Sequence, residues 1–170
     1  MKEVTGWGGA DLNSGDRRDN NRILLLGVGN VLLGDEGVGV HTVNRLRDEG
    51  LPDCVDAVDG GTAGLELAYL VGGFSRLVIV DCLDAGMEPG SIFRISPDDI
   101  CGNTEAKISF HDLGLAEFLT MAKSMGQLPE TVIFGIQPQK IDWGFGLSRA
   151  VEQKIEEFMD LVRNEFKQLN

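Results

Sequence analysis

Three residues of the kinds that hold metal ions stand at matching places in this chain: Glu36, Asp81 and His111. Glu36 follows the apolar run Ile23-Leu24-Leu25-Leu26 and a glycine-dense stretch, Gly27-Val28-Gly29-Asn30-Val31-Leu32-Leu33-Gly34-Asp35. Asp81 ends a second apolar run, Leu77-Val78-Ile79-Val80, and His111 sits just before a helical pattern that begins at Asp112. Two carboxylates and an imidazole make a mixed oxygen and nitrogen set. Such a set suits a borderline divalent ion such as zinc or nickel and leaves at least one coordination position for water or a substrate atom. Blander roles compete: an Asp at a strand end often caps a loop, and a Glu in a first helical turn often only complements the helix dipole. His41 is the rival histidine. Its offset from Glu36 splays the two apart on a helix, which ranks it below His111.

Other chemical templates fail on the residues. A dinucleotide fingerprint needs a third glycine at position 32, which is Leu. The phosphate-loop ending Gly-Lys-Ser/Thr is missing, and so are His-Glu-x-x-His and Gly-x-Ser-x-Gly. Asp35 and Glu36, at the exit of the first glycine loop, would repel a phosphate there and attract a metal. A second glycine loop, Asp59-Gly60-Gly61-Thr62-Ala63-Gly64, offers backbone amides to an anion, but Asp59 weakens that use.

Positioning these residues requires strands that end together. The sequence predicts a strand over 22–28, a helix from about Asp35 to Glu49 and a short strand from Cys54 to Val58 that empties into the second glycine loop. A helix follows from Leu65 to Gly72-Gly73, then strands at Leu77–Val80 and Ser91–Ile95, and a short helix started by Ser96-Pro97-Asp98-Asp99. A helix from Asp112 to Gly126 and a strand at Val132–Phe134 come next. From Ser148 onward, apolar residues through Leu169 recur at spacings of three and four, which predicts one long helix. Alternating strands and helices predict a single α/β domain, with a twisted, mostly parallel sheet flanked by helices on both faces and ligands beyond the carboxyl ends of its strands. Residues 1–21, rich in Gly, Asp, Asn and Ser, are expected to be a flexible tail, with the domain spanning 22–170.

Composition narrows the partners. The 170 residues carry a net charge of −12, which opposes a nucleic-acid or anionic-membrane surface. No apolar stretch reaches the ~20 residues of a membrane span, and no signal core follows Lys2, so a cytoplasmic protein is expected. Cys54, Cys82 and Cys101 form no CxxC pair and read as reduced thiols.

Four stretches then carry a resemblance: the loop from Gly27 to Gly39, Asp59-Gly-Gly-Thr62-Ala-Gly64, Val78-Ile-Val-Asp81, and Lys107-Ile-Ser-Phe-His111-Asp-Leu-Gly114-Leu. In this order they resemble the maturation endopeptidases of nickel–iron hydrogenases, over about residues 22–165. The resemblance implies a five-stranded sheet between helices and an aspartyl-type or metal-dependent endopeptidase. Such an enzyme removes a short C-terminal peptide from the hydrogenase large-subunit precursor once nickel is inserted. The family's metal contacts fall on Glu36, Asp81 and His111. Its loop Asp falls on Asp59, implied in recognition or cleavage, with Glu36 a second catalytic candidate. Asn30, Gly60, Gly61 and Thr62 are implied as substrate-loop residues. The nickel would arrive with the substrate, zinc or cadmium replacing it in vitro, and the protease is expected to act as a monomer. Two alternatives stay open at this point: a nucleotide-binding or regulatory α/β domain, and a related peptidase with another substrate.

Overall fold

The computed structural model describes residues 22–101 and 112–167. The expected tail, 1–21, and His111 lie outside the described residues. The chain forms β1 (Ile23–Val28), α1 (Val38–Glu49), β2 (Val55–Gly61), α2 (Leu67–Leu70), β3 (Arg76–Cys82), β4 (Ile92–Ile95), α3 (Pro97–Cys101), α4 (Asp112–Ser124), β5 (Glu130–Ile136), α5 (Arg149–Glu152) and α6 (Ile155–Lys167). A single 3₁₀ turn, Asp35–Gly37, precedes α1.

The five strands lie in the order β2-β1-β3-β5-β4, parallel except for the antiparallel edge strand β4. Strands covered on both faces need apolar side chains at every position, and Leu24, Leu25, Leu26 and Leu77 through Val80 are all fully buried. Their alternation supplies two cores. Leu25, Val78, Val80 and Phe134 meet α1, α5 and α6 through Val43, Leu46, Val151 and Phe158. Leu24, Leu26, Ile79 and Ile133 meet α2 and α4 through Leu67, Phe118 and Leu119. Glu165, 3% exposed, accepts hydrogen bonds from Arg76 and Arg94 and so ties α6 to the strands.

Two expected elements differ. The second strand continues past Val58 through Asp59 to Gly61, because Gly60 forms a bulge opposite β1: Gly27 pairs with Asp59 and Val28 with Gly61. A Cβ at Gly60 would press within 2.9 Å of Leu26, so the strand end accepts glycine there. The expected single last helix is two helices, α5 and α6, separated at Gln153-Lys154. The apolar stripe continues across the break because Val151, Ile155 and Phe158 all reach the same core.

The chain passes from β1 to β2 on one side and then crosses to β3 on the other side of β1. Connections leaving β1 and β3 therefore diverge at their carboxyl ends. This is the point where an open α/β sheet leaves a crevice for ligands.

Candidate active site

Glu36 and Asp81 flank that crevice. Glu36 sits in the 3₁₀ turn that follows β1, and this turn packs against β3. The close approach depends on Gly39, where an added Cβ would stand 2.2 Å from the carbonyl oxygens of both Val28 and Val80. Asp81 is the next residue along β3 after Val80, which pairs with Gly27. Glu36 is 7% exposed and Asp81 8%, so both carboxylates are largely withdrawn from water. Burial of a carboxylate is tolerated only with a cation or hydrogen bonds to offset the lost hydration. One Asp81 oxygen accepts from the Cys82 amide at 2.7 Å, a bond that fixes its side chain at the strand end.

The neighbouring Asp35 plays a different part. It is completely buried, and its two oxygens accept three backbone amides: Ser148 at 2.6 Å, Gln139 at 2.9 Å and Lys140 at 3.2 Å. All three belong to the connection after β5. Asp35 thus staples that connection to the β1 loop, and Gly34 and Gly144 add a backbone bond of 3.0 Å. Asn30 shapes the same loop, its side-chain oxygen accepting from the Leu32 amide at 3.0 Å.

Asp59 stands apart from this pair. In register it lies level with Gly27 and Val80, on the sheet face covered by α1, whereas Asp81, one residue beyond Val80, projects to the opposite face. Asp59 is exposed. One oxygen accepts from the Gly61 amide at 2.9 Å, and the other has the Asn44 amide at 3.5 Å. Thr62 is exposed beyond it, and the carbonyl of Gly60 accepts the Ala63 amide.

Among the described residues no three His, Cys, Asp or Glu side chains come together as a metal-sized group. Asp59, His41 and Cys82 therefore do not complete a set with Glu36 and Asp81. α4, which begins right after His111, leads into β5 at the amino edge of the sheet, where Glu130 pairs with Arg76. His41 lies on α1 with Nε2 buried and without a hydrogen-bond partner among the described residues. Burial and then the Arg45 guanidinium hold its pKa below the usual histidine value, against the pull of Glu152 and Asp59.

Two residues organise the site edge through contacts that the sequence did not reveal, one of them an acid that the sequence offered to a metal. One is Asp35. The other is Gln137, just past β5, whose side-chain oxygen accepts from the Ala85 and Met87 amides while its nitrogen donates to Asp84. No local pattern reveals these contacts, because the partners lie fifty or more residues away in the chain.

A family model described as hydrogenase maturation protease matches residues 40–165. The hydrogenase expression/formation protein HupD of Bradyrhizobium diazoefficiens is 39% identical over 147 residues, covering 84% of this chain and 77% of that protein. The hydrogenase 2 maturation protease of Escherichia coli K12 is 37% identical over 144 residues, covering 83% of this chain and 88% of its own. Among solved structures, the hydrogenase maturating endopeptidase HybD from E. coli superposes with a TM-score of 0.78 at 35% identity, covering 86% of this chain and 93% of that one.

Proposed function

The chain belongs to the hydrogenase maturation proteases, and from that premise we propose that it removes a short C-terminal peptide from the large-subunit precursor of a nickel–iron hydrogenase. The finer parts of the proposal concern how it recognises and cuts that substrate. Glu36, Asp81 and His111 would grip nickel carried by the precursor, so that a metal-free precursor lacks a docking point. The observation that carries this reading is the pair of buried carboxylates, Glu36 and Asp81, at the divergence of β1 and β3. Oxygen donors of this kind, with one imidazole, fit a borderline divalent ion. The same buried carboxylates would repel the phosphates of a nucleotide at this crevice.

Asp59 is assigned the base. Its exposure and its one loosely held oxygen leave it able to take a proton from water. The water oxygen then bonds to the scissile carbonyl carbon, the C–N bond breaks, and the abstracted proton passes to the departing amine. Glu36, buried and committed to the ion, is the less suitable base. The Gly60-Gly61 strand end and Asn30 lie beside these groups as backbone and side-chain contacts for the extended substrate.

No described helix is long and apolar enough to cross a membrane. Cytoplasmic action as a single chain completes the proposal, and the Cys54 thiol fits a reducing compartment. The decisive experiment incubates the protein with nickel-loaded and nickel-free precursor and follows the large-subunit mass. Loss of a short C-terminal peptide from the loaded form alone is the expected result, and equal cleavage of both forms defeats the nickel-docking part.

A further inference from the structure

Among the described residues the two barest large apolar side chains, Trp143 and Phe145, stand on one connection. Leu32, Met87, Trp143 and Phe145 are 42, 58, 79 and 88% exposed, and all four sit on connections that leave the carboxyl ends of β1, β3 and β5. Trp143 and Phe145 project from one short tip, Trp143-Gly144-Phe145. Single exposed apolar side chains are commonplace, but two nearly bare aromatics on a braced tip are not.

The bracing is the second observation. The Gly144 amide donates to the Leu32 carbonyl at 3.0 Å, and the Gly144 carbonyl accepts the Gly34 amide at 3.0 Å. Asp35 holds the loop on both sides of the tip, at Gln139 and Lys140 before it and at Ser148 after it. The tip is therefore presented rigidly rather than left to fold onto the body of the protein. It is also bonded to the segment that enters the Glu36 turn, with Gly34 only two residues before Glu36.

From this arrangement we infer that Trp143 and Phe145, with Leu32 at their base, form the platform on which the precursor polypeptide lays apolar side chains as it approaches Glu36. The inference rests on the proposed peptidase reading and adds the surface that selects the polypeptide. Rigid aromatic anchors lose little conformational entropy on binding, which is why such residues dominate protein-recognition hot spots. A second copy of this chain is the competing occupant. Each copy carries a net charge of −12, and the platform borders the acidic crevice, so two copies would bring like charges together there. The Lys140–Asp142 ion pair beside the tip is internally balanced and does not offset that repulsion.

The test measures steady-state cleavage of purified nickel-loaded precursor by wild type, by the double variant Trp143→Ser/Phe145→Ser, and by Leu161→Ser as an exposed apolar control on α6. The platform predicts that the double variant raises KM by about tenfold or more, with kcat within about twofold, while Leu161→Ser changes neither. Trp143→Phe, which keeps an aromatic ring, should restore most of the affinity. Equal KM for wild type and a double variant of unchanged Tm overturns the platform and leaves the peptidase reading standing. Wild-type self-association in sedimentation that the double variant abolishes, again at equal KM, reassigns the face to a second copy and also overturns it. Failure of wild type to shorten any loaded precursor, by contrast, removes the peptidase reading and the platform with it.

Discussion

The connections leaving β1 and β2 look alike in sequence, each a cluster of glycines around an acid, yet the fold treats them in opposite ways. After β1, both acids are buried, Asp35 bonded to the connection from β5 and Glu36 in the turn that packs against β3. After β2, Asp59 stays exposed, and its bonds are local, to the Gly61 amide and across to Asn44 on α1. Strand position explains the contrast. β1 is flanked by β2 and β3, and its connection must pass under neighbouring chain, whereas β2 is an edge strand with open solvent beyond it. A buried carboxylate in the first setting has lost its hydration and must be offset by amides or other partners, as Asp35 is by three backbone amides. In the second setting it keeps its hydration.

Substitutions can break this contrast, and the largest effect is expected at the acids proposed to hold the substrate's nickel. Glu36→Gln preserves shape but removes a charge that the proposal gives to the nickel. Processing of the loaded precursor should fall by about a thousandfold or more, equivalent to roughly 4 kcal/mol of transition-state stabilisation. Asp81→Asn and His111→Ala should behave alike, with circular dichroism unchanged in each case. Cleavage at wild-type rates by all three variants would sink the assignment. Asp35→Ala, one residue from Glu36, should fail differently. It strands the amides of Gln139, Lys140 and Ser148, and the expected loss is about 3 kcal/mol of stability. For a chain of this size that is a fall in Tm of roughly 6–12 °C. A variant melting with wild type would show that the staple is dispensable.

Asp59 gives the opposite signature. Asp59→Asn retains an acceptor for the Gly61 amide and sits in the open, so its Tm should stay within about 2 °C of wild type. Its kcat should nevertheless drop about a hundredfold, the usual weight of a lost general base. An unchanged kcat would move the base elsewhere, with Glu36 next to be examined.

How far the sequence reached follows from the range of each interaction. Strand and helix order was readable because the doubly covered strands, such as Leu77–Val80, must be apolar throughout, and because α1 and α6 repeat their apolar residues at helical spacing. Placement of Glu36 and Asp81 at neighbouring strand ends was readable for the same reason, since parallel strands end on one edge. The extension of β2 through Asp59-Gly60-Gly61 was not readable, because a bulge beside β1 lets residues with turn chemistry finish a strand. The break between α5 and α6 was hidden, because a stripe that faces one core reads as continuous whether or not two residues leave the helix. The role of Asp35 was the least accessible of all. Nothing near it in the chain says that amides more than a hundred residues away will converge on its carboxylate.

His41 joins the two connections and provides the smallest and most specific test. It sits on α1, just after the β1 connection, and it feels Asp59 of the β2 connection across the helix face. Burial and Arg45 lower its pKa more than Glu152 and Asp59 raise it, so the folded protein binds a proton there less readily than the unfolded chain does. Below the ordinary histidine value near 6.5, the unfolded state takes up a proton that the native state resists. Stability should therefore be complete above that pH and decline as the pH falls through the window beneath it. Replacing His41 with Gln removes this contribution and leaves the carboxylates in place. Tm measured from pH 7.5 to 5.5 should fall less steeply for His41→Gln than for wild type, with the two curves separating only on the acid side. Parallel curves across the whole range would mean that the buried Nε2 finds a proton acceptor in the folded chain, and that α1 does not couple the two connections electrostatically.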